Sequence, residues 1–150
     1  MGIYLNPDNN RYERLCNSPI FVDKSLLIEY TNKAINTSND CICVTRPRRF
    51  GKSTDANMLV AYYSKGTNSK DLFNTLNINH CPSFLEHLNK HNVIHLNIQD
   101  FLSTTNSIDE MLSKINRMIL KDLKFEFKDV ITETEIIDAF NEVYAYTKNK

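Results

Sequence analysis

Glycine is scarce in this chain. Only Gly2, Gly51 and Gly66 occur among 150 residues, so few positions let a backbone approach a ligand with no side chain in the way. No apolar run nears the roughly 18 residues that a membrane-crossing helix needs, and no signal-peptide pattern is read at the start of the chain. No sign of charge is in excess: eighteen basic and eighteen acidic residues cancel. That balance excludes a whole-molecule field drawing in nucleic acid or an anionic membrane, and leaves any anion to a local patch. The four cysteines form no compact, even framework. Cys41 and Cys43 alternate on one stretch while Cys16 and Cys81 lie far off in sequence, and the expectation is reduced thiols in the cytoplasm. Internal repeats and low-complexity tracts are also missing. A chain of this length suits one domain that buries roughly two-thirds of its unfolded surface.

What is present centres on Cys41 to Tyr63. Cys41-Ile42-Cys43-Val44 has the length and composition of a buried strand. A basic loop follows, Thr45-Arg46-Pro47-Arg48-Arg49-Phe50, and then Gly51-Lys52-Ser53. Behind it Ala56, Leu59, Val60 and Tyr63 recur at helical spacing. Strand, loop, Gly-Lys-Ser and helix is the setting of a phosphate-binding P-loop. Backbone amides and a helix N-terminus face the phosphates, the lysine reaches their charge, and the serine hydroxyl reaches Mg²⁺. The spacing departs from G-x-x-x-x-G-K-[ST] at one place, since Arg46 stands where the first glycine belongs. Pro47 keeps Arg46 extended, continuing the strand. The plainer alternative is a basic surface turn between a strand and a helix. A bare Gly-Lys-Ser recurs easily by chance, so the flanking elements carry the argument.

The sequence resembles the AAA-ATPase-like proteins, whose longer members carry a C-terminal nuclease-like domain of the PD-(D/E)XK type. The resemblance rests on Gly2-Ile3-Tyr4-Leu5-Asn6-Pro7, on Phe21-Val22-Asp23-Lys24-Ser25 with Leu27-Ile28, and on the block from Thr45 to Ser53. Leu72-Phe73, Leu76, Ile78 and Val93-Ile94-His95-Leu96 add to it. That family itself lacks the first P-loop glycine, so Arg46 agrees with it. Asn97 departs from the acidic residue that the family often has after the leucine of its second strand. The family's Walker B strand, an apolar run ending in Asp-Glu, would by resemblance begin after Lys150. The resemblance therefore implies that residues 1–150 are the N-terminal part of one P-loop NTPase domain, cut before its catalytic acid.

Taken in order, Met1 to Cys16 reads as an irregular lead-in. Asp23 is placed to cap a helix from Lys24 to about Ile35, with Leu26, Leu27, Tyr30 and Ala34 on one face. Asp23-Lys24-Ser25 puts an acid, a base and a hydroxyl side by side, but a capped helix start explains them adequately. Short helices are expected over Asp71 to Leu76 and Pro82 to Lys90. Asn92 to Gln99 alternates, with Ile94, Leu96 and Ile98 on one face, as a half-apolar strand does. Ser107-x-x-Glu110 and Thr132-x-x-Glu135 are capping boxes that open two final helices. The expected fold is α/β: a P-loop NTPase-type parallel sheet flanked by helices, incomplete in this chain.

Other constellations are weaker. His87, His91 and His95 are spaced by four with Cys81 upstream, but the helix should end near His91, which argues against zinc. Asp100 follows an apolar stretch yet has no glutamate after it, and the alternation before it is unlike a buried Walker B strand. Arg46, Arg48 and Arg49 could meet nucleic-acid phosphates, although no basic stripe or interleaved aromatic set accompanies them.

The leading expectation is Mg-ATP binding. Arg48, Arg49, Phe50, Gly51, Lys52, Ser53 and Thr54 form the site and Ser53 serves as the Mg²⁺ ligand. Lys52 would touch the β- and γ-phosphates, and catalytic residues are left unassigned. Hydrolysis is expected only in the longer parent protein. The alternatives are a non-catalytic interaction domain with a relic phosphate loop, a nucleic-acid module, or a small-molecule kinase. The expected partners are nucleotide and either a second copy or the absent C-terminal part, with no membrane.

Overall fold

The computed structural model describes residues 2–148; Met1, at the head of the expected lead-in, and Asn149 and Lys150 lie outside the described residues. Packing divides the chain into two compact units, Asp8–Val93 and a second made of Met1–Pro7 with Ile94–Lys150.

Asp8–Val93 is helical. It holds α1 (Asn10–Cys16), α2 (Leu26–Ala34), α3 (Lys52–Tyr63), α4 (Lys70–Phe73), a 3₁₀ turn (Asn77–His80) and α5 (Phe84–His87). The end of the expected lead-in is thus a helix, α1, whose Tyr12 is buried. Its core joins Tyr12, Ile28, Met58, Ala61, Tyr62, Phe73, Leu76, Ile78 and Phe84. Tyr12 stacks on Phe73 at 5.2 Å, and Tyr62 meets the same ring edge-on at 5.6 Å. Offset stacking and edge contact are the arrangements aromatic quadrupoles favour.

The face of α2 that packs inward is not the expected one. Leu26 and Tyr30 are exposed, while Ser25, Ile28 and Asn32 are buried. Asn32 can go inside because its bonds are made there: its Nδ2 donates to Tyr62 Oη at 3.1 Å and Ser83 Oγ at 3.0 Å, and its Oδ1 accepts from Tyr63 Oη at 2.6 Å. A buried amide with its partners in place costs little. Burial raises the Tyr63 hydroxyl to a pKa of about 12, against a smaller opposing effect of its bond to Thr31.

The second unit contains α6 (Ile98–Leu102), α7 (Ile108–Glu126) and α8 (Ile136–Lys148). Leu5, Phe101, Ile115, Ile119, Leu123, Ile131 and Ala139 form its core. Asp122 on α7 accepts from the Tyr4 amide at 2.7 Å and the Leu5 amide at 3.2 Å, which holds the N-terminal segment against that helix. The first capping box opens α7 as expected, with Ser107 Oγ accepting from the Glu110 amide at 3.1 Å. The Glu110 carboxylate reaches back one residue further, to the Asn106 amide at 2.8 Å. The second box does not form. Thr132 instead spends its amide and hydroxyl on Glu142, at 3.0 and 2.6 Å, and α8 begins at Ile136.

The expected α/β fold with a parallel sheet is overturned. The described residues contain helices and no strand or sheet; extended pairing is limited to isolated bridges, Leu5 with Ile94 and Ser64 with His91. Cys41–Val44 is neither helical nor paired as a strand and is exposed along its length. A strand of a parallel sheet needs a neighbour about 4.8 Å away and cover on both faces, and an apolar run alone supplies neither. The expected strand from Asn92 to Gln99 pairs only through the Ile94 bridge, and its last two residues go to a helix for a local reason. Asn97 caps a helix, its side chain accepting from the Gln99 amide at 3.3 Å, so the chain winds into α6 at Ile98.

Candidate phosphate-binding loop

The site is built at the N-terminal end of α3. Arg48 and Arg49 form a turn, Phe50 and Gly51 bend, and the helix starts at Lys52. Gly51 sits in the left-handed region at φ 81°, as does Arg49 at φ 69°. Left-handed residues within a turn are the local geometry from which backbone-amide nests are made. The amides of Lys52, Ser53 and Thr54 stand in the first turn of α3, where no intrahelical carbonyl is available to them.

The Lys52 ammonium folds back over the loop and donates to the carbonyls of Arg46, at 2.5 Å, and Pro47, at 3.1 Å. Six residues of chain are thereby drawn around one cation. Ser53 is exposed and Thr54 half-buried; Arg48, Arg49 and Phe50 are exposed. The expected residues are thus contiguous around the mouth of one helix, with Lys52 as the only one whose side chain closes the loop by a described bond.

A second lysine reaches the loop from elsewhere. Lys24, just before α2, donates to the Phe50 carbonyl at 3.2 Å and to Asp55 Oδ1 at 3.2 Å. Asp55 belongs to the first turn of α3 and is 6% exposed. Asp23 and Ser25 point to a different element: Asp23 Oδ2 accepts from the Asn77 amide at 2.8 Å and Ser25 Oγ from the Ile78 amide at 3.0 Å. Burial works against the Asp23 carboxylate, but the amides of Asn77 and Ser25 outweigh it and hold its pKa below the ordinary range. Asp-Lys-Ser is therefore a two-way bracket, with its outer residues on the 3₁₀ turn and its middle residue on the loop. Sequence reasoning singled out the tripeptide but missed both Lys24 and Asp55 as parts of the loop, because the contact spans 31 residues.

Of the histidines, His87 Nδ1 and His91 Nε2 lie 3.0 Å apart, and the amide of His95, in the other unit, bonds to Tyr4. No group of three or more metal-ligating side chains exists among the described residues. Asp100 lies on α6. No helix among the described residues is long and apolar enough to cross a membrane.

A model of the family described as predicted AAA-ATPase matches residues 10–150. The chain belongs to that family. Comparison with curated proteins and with solved structures gave no match. The residues at the mouth of α3 fit the nucleotide such a family name implies in one respect that geometry can test. The Lys52 ammonium already holds two oxygen acceptors at its own loop, and phosphate oxygens are stronger acceptors of the same kind. For Mg²⁺ the loop offers the Ser53 hydroxyl, one ligand of a shell otherwise filled by phosphates, waters and carboxylates.

Proposed function

We propose that this predicted AAA-ATPase binds Mg-ATP at the loop preceding α3. The observation that carries the reading is the Lys52 ammonium turned over the loop onto the carbonyls of Arg46 and Pro47. Backbone amides from Arg48 to Ser53 would hold the phosphates, and Lys52 would exchange its carbonyl acceptors for β- and γ-phosphate oxygens. Ser53 would ligate Mg²⁺, and the Thr54 hydroxyl would add a phosphate contact. Mg-ATP, when bound, supplies a γ-phosphoryl group able to pass to water. That transfer also requires an acid to hold the metal and a group to orient the water; the one carboxylate described at the loop, Asp55, is paired with Lys24, so the proposal for these residues is binding.

The test is titration with a fluorescent ATP analogue and Mg²⁺, on the wild type and Lys52→Ala together. The wild type should saturate. The variant, losing charge-assisted bonds to phosphate, should bind on the order of 100-fold more weakly. Equal affinities would refute the site. Competition by an oligonucleotide that persists in Lys52→Ala would favour the nucleic-acid alternative instead.

A further inference from the structure

We infer that Lys24 is a positioning residue for this loop, whose ammonium cancels the buried Asp55 carboxylate beneath it and so sets how much anionic charge the site accepts. The inference rests on the phosphate-site reading above. Asp55 lies three residues after Lys52, in the first turn of α3. A carboxylate there draws on the same positive helix end that would serve a phosphate. With Asp55 6% exposed, water screens it poorly, so a bare carboxylate would repel an incoming polyphosphate. Its described ion-pair partner is Lys24, at 3.2 Å. The same ammonium bonds to the Phe50 carbonyl, and a Cβ placed on Gly51 would stand only 2.7 Å from it. Lys24 thus lies against the two residues that lead into α3 while holding the acid behind them. No proton or bond needs to move: the pair acts through charge and position, and Lys24 touches the loop rather than the ligand.

The inference is tested by affinities for ATP, ADP and AMP, each with Mg²⁺, on the full chain. Lys24→Met should weaken ATP by about tenfold, ADP by less and AMP least, because the repulsion from an uncovered Asp55 grows with ligand charge. Adding Asp55→Asn to Lys24→Met should recover most of the lost ATP affinity. A purely structural role would weaken all three nucleotides alike and would not be rescued by removing the acid. Asp55→Asn alone keeps the bond from Lys24 to Phe50 and frees one positive charge. It should therefore bind ATP severalfold more tightly, with the gain larger for ATP than for AMP, and this arm stands even if Lys24→Met unfolds. Loss of ATP binding in Lys52→Ala alongside unchanged affinities in Lys24→Met and Asp55→Asn would overturn the role of Lys24 alone. Wild-type affinity in Lys52→Ala would overturn the site beneath it.

Discussion

The two ends of α3 are held in opposite ways. At the C-terminal end the chain turns through Ser64 to Ser69, both buried, around one neutral amide. Asn89 Nδ2 donates to the carbonyls of Ala61 at 3.1 Å and Ser64 at 2.9 Å and to Thr67 Oγ1 at 3.1 Å, while its Oδ1 accepts from the Ser69 amide at 2.9 Å. At the N-terminal end residues 41–50 are all exposed, and the described side-chain ties are two lysine ammoniums on backbone carbonyls, one of which, Lys24, also pairs with the buried Asp55. A neutral, half-buried, many-bonded knot stabilises a fold because breaking it strands the polar groups of the buried residues it ties. The exposed Lys52 ammonium on its carbonyls would give up little to a stronger oxygen acceptor. One end of the helix is tied by neutral bonds, the other by charged ones.

The contrast breaks most easily at the knot. Asn89→Ala should cost about 3 kcal/mol in urea unfolding, since it strands several buried groups and places alanine at φ 54°. Asn89→Gly removes the same bonds but tolerates the left-handed backbone, and should lose about 1 kcal/mol less. At the other end Gly51→Ala should cost about 1–2 kcal/mol through its φ of 81°. The added methyl would displace the flexible Lys24 head, so its effect on ATP affinity should resemble that of Lys24→Met. Acid should act on a third, smaller scale. Burial first, then the charges of His87, Lys65 and Lys90, lower the pKa of His91, whose ring also meets Tyr63 edge-on at 5.4 Å. The folded state therefore resists protonating His91. Its contribution is complete above the unfolded pKa near 6.5 and is lost as pH falls through that value toward the lower folded one. His87 beside it carries Glu86 at 3.7 Å from its Nε2. His91→Gln should flatten the stability profile between pH 7 and 5. Lys52→Ala should move stability least, within about 0.5 kcal/mol, because the side chain is exposed.

What could be read from the sequence was whatever depends on neighbours along the chain. The start of α3 at Gly51-Lys52 and the cap of α7 at Ser107 are local, and both formed as expected. The family resemblance, carried by the block from Thr45 to Ser53, agrees with the family match over residues 10–150. Strands were not legible, because an apolar run such as Cys41–Val44 becomes a strand only beside another, and the alternation from Asn92 found only the Ile94 bridge before the helix cap at Asn97. The inward face of α2 was misread because hydrophobic spacing does not count Ser25 or Asn32, whose burial depends on partners far away in sequence. The Lys24–Asp55 pair was hidden for the same reason: charge neighbours across 31 residues leave no periodic trace.

The most direct measurement is backbone amide NMR of the full chain titrated with Mg-ATP. The account predicts that the largest shift changes fall on residues 46–55, with Ser64 to Ser69 and Asn89 nearly unmoved. Changes concentrated at the Asn89 knot, or none at the mouth of α3 while ATP saturates, would contradict it.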